Sequence, residues 1–400
     1  MQDNLFISGV RTTNGALADI SLAGGRIAAI LAAGSPAPAG ARIIAGAGRL
    51  AVPALVEAHA HFDKTLWGQP WRPNSAGPTL RDYIDNERRI LRGLDVPIAA
   101  RAGKLIENCI AKGSLHFRCH IDVDPEFGVR HVEAMLALRE TYRDIITMDF
   151  VVFQQTGMLI RPGTVAIMEE ALKLGVENVG GLDPAGIDND PIRHLEAIFG
   201  LAEQYGRGVD IHLHDRGELG LWTIERIADF TKARGLKDKV VISHAYCLGQ
   251  AGETRLQKVA LLLAENGISI MTTAPADCPA PPVAALRAAG VNVCMGSDGI
   301  RDAWSPLGTG DMLERALFLC QRFDWAKDEE LAAAFDCVTQ AGARALGLKD
   351  YCLAVGNPAN LILLPAENIG MAIAERNRDR LVIARGKVVA EDGVFGRLSA

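Results

Sequence analysis

The sequence predicts a closed parallel (β/α)8 TIM barrel, an α/β fold, with a small β-sandwich domain built from both termini. Three observations predict it. Short apolar runs recur near 52–58, 115–121, 147–153, 177–182, 209–213, 240–244, 268–272 and 291–297, with helical patterns between most of them. Eight strands alternating with helices imply a barrel whose active site lies at the C-terminal ends of the strands. Five residues able to do chemistry, His59, His61, His212, His244 and Asp298, fall at such ends.

The elements follow in order. Leu5–Gly9, Ala18–Leu22 and Arg26–Ile30 read as short strands broken by glycine pairs and by a Pro/Ala/Gly stretch at 34–41. The far end has the same texture, with strands over 359–364 and 380–389. This predicts one composite β domain over 1–50 plus 355–400, and a barrel over 51–354. Leu50–Ala58 is a nearly unbroken apolar run leading into His59-Ala60-His61. Side chains at i and i+2 of a strand point the same way, so both imidazoles can reach one point, which suits a metal ion. Between strands, Val165, Met168, Ala171 and Leu172 share one helical face, and Ile192, Leu195, Ile198, Phe199 and Ala202 form another.

With 400 residues the chain is long enough for a large core, and at 49% hydrophobic and 22% charged it is an ordinary globular composition. A net charge of -6 without a basic run argues against binding a nucleic-acid polymer. The eight cysteines form no CxxC pair and read as small core residues in a reducing cytosol. Met1-Gln2-Asp3-Asn4 has no basic stretch and no apolar segment follows, so no secretory signal is expected. No uncharged apolar stretch reaches the roughly 20 residues of a membrane span. The expectation is a cytoplasmic protein without membrane contact.

The candidate ligands sit at separate strand ends: His59 and His61 on strand one, His212 on strand five, His244 on strand six and Asp298 on strand eight. Three histidines and an aspartate form a nitrogen and oxygen donor set that suits Zn(II) or Fe(II) and leaves room for water.

This arrangement resembles the amidohydrolase superfamily over essentially the whole chain, and within it the cytosine deaminase and N-isopropylammelide amidohydrolase branch. The residues carrying the resemblance are His59-Ala60-His61-Phe62-Asp63-Lys64, Arg118-Cys119-His120-Ile121-Asp122-Val123-Asp124 and Gly180-Gly181-Leu182-Asp183-Pro184-Ala185. With them stand His212-Leu213-His214-Asp215, Ser243-His244-Ala245 and Ser297-Asp298-Gly299-Ile300-Arg301-Asp302-Ala303-Trp304.

The resemblance implies that His59, His61, His212 and Asp298 hold one divalent metal, Zn(II) or Fe(II). Metal-bound hydroxide then attacks a ring carbon, and an exocyclic C–N bond of a small nitrogen heterocycle such as an aminopyrimidine or aminotriazine breaks. Asp298 accepts the proton of the attacking water, and His244 steadies the developing charge. Cytosine deaminases carry a glutamate where this chain has Asp215, which is one methylene shorter, so His214 is the rival proton shuttle. They carry an aspartate where this chain has Gly299. Gln155 matches a glutamine that reads a ring carbonyl and NH, Trp304 flanks the ring, and Lys64 pairs with Asp63 or meets an anionic substrate. Asp183 ends strand four, where two-metal relatives carry a bridging lysine, so a single metal is expected and Asp183 joins the substrate side.

The alternatives are a hydantoinase-like cyclic amide hydrolase, which usually needs that lysine, and a non-catalytic barrel scaffold, which the intact ligand set opposes. No HxE…PCxxC pattern of the other zinc deaminases is present. His116, His131 and His194 are expected to be structural. His120, with Arg118 and Asp122, should form a hydrogen-bond network behind the site. The charged run 81–89 reads as a solvated helix face. The β domain offers a surface for a homo-oligomer.

Overall fold

The computed structural model describes residues 4–396, so residues 1–3 and 397–400 of the expected β domain, and with them most of Met1-Gln2-Asp3-Asn4, lie outside the described residues. Eight parallel strands make the barrel sheet: β1 (Leu55–Ala60), β2 (Ser114–Asp122), β3 (Thr147–Phe153), β4 (Asn178–Leu182), β5 (Gly208–Leu213), β6 (Val240–His244), β7 (Ser269–Thr272) and β8 (Val293–Met295). Each pairs in parallel with its sequence neighbour. The ring closes just beyond β8, where Ala60 and Asp298 form a parallel bridge. Nearly every strand residue is buried because helices cover the outside and side chains fill the inside, which is why the strands read as apolar runs.

The two predicted helical stripes are real. Met168, Ala171 and Leu172 are buried on helix Thr164–Lys173, and Leu195, Ile198, Phe199 and Ala202 on helix Pro191–Tyr205. Ile192, placed in the second stripe, is instead exposed at the helix start.

The second sheet is nine-stranded, largely antiparallel, and drawn from both ends of the chain. Its halves join where Leu50–Pro53 runs antiparallel to Leu361–Leu364. Alternation sorts the two faces. Leu361, Leu363, Leu381 and Ile383 pack with Leu5, Ile7, Ile20 and Leu22 in this domain's own core. Ile362, Leu364 and Val382 face the barrel core.

The apolar run over 50–58 is therefore two strands in two sheets, divided at Ala54. Pro53 lacks the N–H needed to continue a ladder, so the chain changes sheets there. Arg380 locks the two layers together, donating to both carboxylate oxygens of buried Asp311 at 2.9 and 2.7 Å and to the carbonyl of Lys112 at 2.7 Å. Among the described residues no helix is long and apolar enough to cross a membrane.

Candidate active site

A cavity of about 450 Å³ opens at the C-terminal mouth of the barrel, and His61, His212, His244 and Asp298 all line it. His61 Nε2 stands 3.0 Å from Asp298 Oδ1 and 3.4 Å from His212 Nε2. His59 Nε2 lies 3.6 Å from the same Asp298 oxygen, and His244 Nε2 lies 4.0 Å from Asp298 Oδ2. Donor atoms of His59, His61 and His212 lie within 4.8 Å of one another, as do those of His59, His244 and Asp298.

The residues fit a cation. His59 Nε2 is buried with no hydrogen-bond partner, an arrangement that is costly unless something else meets that lone pair. Behind it, His59 Nδ1 bonds Ser243 Oγ at 2.9 Å, and Ser243 donates on to Asp210 at 2.8 Å. His212 Nδ1 bonds the Gly181 carbonyl at 3.2 Å. Each outer contact holds the tautomer that turns a bare Nε2 inward. Burial keeps His59, His212 and His244 below the usual imidazole range, hence neutral and able to ligate. Burial alone would raise the Asp298 carboxyl, but the neighbouring His244, His59 and His61 rings hold it well below the carboxylate range.

The backbone is strained at this rim. Asp183 (φ 38), His244 (φ 72) and Asp298 (φ 63) end or follow β4, β6 and β8 in the left-handed region. Such geometry costs a non-glycine residue about 1–2 kcal/mol and persists only where surrounding structure enforces it.

The substrate-side residues divide. Lys64, Gln155 and Trp304 line the cavity. Lys64 does not pair with Asp63, which bonds His131 at 2.8 Å instead. Its ammonium bonds Gln155 Oε1 and stands 3.3 Å from Glu87 and 3.8 Å from Asp122. Gln155 completes the chain by donating to Glu87 at 2.7 Å. Against burial, Glu87 and Asp122 push the Lys64 ammonium above its ordinary value. The Trp304 ring packs 5.4 Å from Tyr83.

His214 lines the cavity, and Asp183 and Asp215 do not. Asp183, expected on the substrate side, holds His214 in place: its Oδ2 bonds His214 Nδ1 at 2.9 Å, and its Oδ1 accepts the backbone N–H of His214 and, at 3.2 Å, of Asp215. Burial lowers His214, yet the neighbouring Asp183 carboxylate lifts it above its ordinary value. Asp215 turns to the backbone of Gly186 and Ala185, and burial, with Asp183, pushes it up to about 6. The His214 ring stacks on His244 with centroids 4.6 Å apart.

Glu87, Tyr83, Tyr246 and Asp302 also line the cavity and were not singled out in the sequence. The run 81–89 is no solvated face: helix Leu80–Arg92 buries Ile84, Asn86, Glu87, Arg88 and Ile90. The spacing of Tyr83, Ile84, Glu87 and Ile90 puts Glu87 on the apolar side, a signal the charges mask. The expected hydrogen-bond network around His120 does not form. Arg118 donates to Asp210 at 3.2 Å, but both His120 ring nitrogens lack a hydrogen-bond partner, Nε2 standing 3.6 Å from Asp210 while the ring stacks on His59 with centroids 3.8 Å apart. Asp122 stands apart from that pair, bonding Arg88 and the backbone of Gln155.

Residues 99–390 match the amidohydrolase family. The chain is 32% identical over 364 residues, covering 87% of itself and 88% of its relative, to N-isopropylammelide isopropyl amidohydrolase of Pseudomonas sp. (strain ADP). It superposes with a TM-score of 0.95 on N-isopropylammelide isopropylaminohydrolase from Burkholderia multivorans ATCC 17616, at 42% identity over 98% of this chain and 100% of that one. It also superposes on 5-methylcytosine deaminase from Klebsiella pneumoniae liganded with 5-fluorocytosine, with a TM-score of 0.86 and 31% identity over 97% of each chain.

Proposed function

The chain belongs to the amidohydrolase family, hydrolases of carbon–nitrogen bonds, and on that premise we propose that it removes ammonia or an alkylamine from a small nitrogen heterocycle such as an aminotriazine or aminopyrimidine. The observation carrying this reading is the convergence of the His59, His61 and His212 Nε2 atoms on the Asp298 carboxylate, with His61, His212 and Asp298 lining the cavity and His59 buried behind them. They would hold one divalent ion, Zn(II) or Fe(II). When bound, such an ion supplies acidified water as nucleophile at neutral pH.

The chain's own groups do the rest. Asp298 Oδ2 faces His244 and takes the proton of the attacking water, while His244 stabilises charge growing on the ring. His214 carries the proton to the ring and leaving nitrogen; its place in the cavity and its anchor on Asp183 favour it over Asp215. Lys64 and Gln155 offer an ammonium and an amide to the ring's polar edge, and Trp304 and Tyr83 offer flat apolar faces. The eight cysteines form no disulfide, which favours a reducing compartment such as the cytoplasm.

The test is a metal assay together with a screen of aminotriazines, aminopyrimidines, pterins and cyclic amides, detecting ammonia and alkylamine. Stoichiometric divalent metal and amine release support the reading. Ring opening of cyclic amides alone, or a well-folded protein binding no metal, overturns it.

A further inference from the structure

Beyond the residues assigned above, the loop after β8 presents one more carboxyl to the cavity. Asp302 is 6% exposed and lines it. Its Oδ1 accepts the backbone N–H groups of Trp304 at 2.9 Å and Ser305 at 2.7 Å. The loop closes on itself through Asp302 N to Ser305 O at 2.9 Å and Arg301 N to Leu307 O at 3.0 Å, so the carboxyl is held by backbone. No described residue donates to Oδ2.

Gly299 explains how the carboxyl fits. A Cβ at 299 would stand 2.5 Å from Asp302 Oδ2 and 2.8 Å from Oδ1, closer than atoms pack. Any side chain there displaces the carboxyl.

We propose that Asp302 determines ring specificity on the β8 side of the cavity: Oδ2 accepts an N–H from the edge of the heterocycle, and Gly299 leaves the room for it. The ligand class is a planar ring bearing an amino or ring N–H at that edge, preferred over one bearing a carbonyl there. The inference rests on the heterocycle reading above. Burial, then Glu87 and Asp298 nearby, push Asp302 up to about 7, so the acceptor role belongs to the ionised form and the binding measurements are made well above that pH.

Asparagine at 302 keeps an oxygen for the turn and replaces the outward acceptor by an NH2 donor. The experiment measures dissociation constants, by calorimetry, for ammeline and ammelide, rings differing by one amino-for-oxo exchange. They are measured on wild type, Asp302→Asn and Gly299→Asn, with thermal melts confirming fold. Wild type should favour ammeline, and Asp302→Asn should shift the ratio toward ammelide by roughly tenfold. Gly299→Asn should abolish the wild-type preference by pushing Asp302 aside, and it tests the inference even if Asp302→Asn misfolds. A ratio unchanged within about twofold in the folded variants overturns the inference and leaves the heterocycle reading standing. Failure of wild type to bind either ring overturns the inference, and the heterocycle reading falls with it only where the wider ring screen also yields no amine release.

Discussion

The backbone N–H of Asp298 donates to the carbonyl of His59 at 2.8 Å, so the barrel closes through the same two residues whose side chains face each other across the candidate metal site. The return contact, His61 N to Asp298 O, is 3.4 Å. Ligand geometry and barrel closure are one structural event. The Glu57 carboxylate reinforces the seam by accepting the N–H groups of Ser297 at 2.8 Å and His59 at 3.3 Å.

The seam needs Gly296. A Cβ there would lie 2.6 Å from His59 Cβ and 2.7 Å from its backbone N and O. Gly296→Ala should cost about 1–3 kcal/mol, because backbone atoms cannot step aside as a flexible side chain can. Denaturant unfolding of metal-free protein checks this, and metal content should fall with it. An unchanged midpoint would show that the seam tolerates separation.

Ser243 never reaches the cavity, yet it links His59 Nδ1 to Asp210. Ser243→Ala should weaken divalent metal binding roughly 10–100-fold, the usual loss when a ligand's outer partner is removed. Competition with a chelator measures it directly. Wild-type affinity in the variant would mean that packing alone orients the ring.

His214→Asn should lower kcat about 10²–10⁴-fold, the scale of a lost proton carrier, with a smaller effect on KM. Asp215→Asn should leave kcat within about tenfold, since that carboxyl addresses the backbone of Ala185 and Gly186. Steady-state kinetics on the best substrate from the ring screen decides between them. The reverse pattern assigns proton transfer to Asp215.

His116 lies at the start of β2, buried with Nδ1 unpartnered. Burial, with Arg385 nearby, lowers it from 6.5 to about 4. Between those values the unfolded chain takes up a proton and the folded protein does not, so stability should rise with pH through this window. The total is on the order of 3 kcal/mol. His116→Gln should remove this share and make the acid limb shallower, the buried His59, His212 and His244 supplying the remainder, and should leave turnover intact. Unfolding near pH 4.5 and pH 7.5 supplies the comparison.

Much of this architecture was readable in the sequence because parallel strands, buried on both faces, appear as uninterrupted apolar runs. The ligand set was readable because strand geometry sends His59 and His61 to one side. What escaped depends on backbone detail. Asp183 turns toward His214 through a left-handed residue, a conformation that strand periodicity does not encode. Lys64 pairs with Glu87 rather than adjacent Asp63, because His131, distant in sequence, claims Asp63 first. The break at Ala54 was hidden by continuous hydrophobicity, although Pro53 marks it.

The pairing of Leu50–Pro53 with Leu361–Leu364 carries a lesson for biogenesis. During translation the early β segments emerge well before their complement, and must wait with open edges while the entire barrel is made. Nascent chains stalled before residue 361 should therefore recruit holding chaperones, and release should coincide with arrival of the final strands.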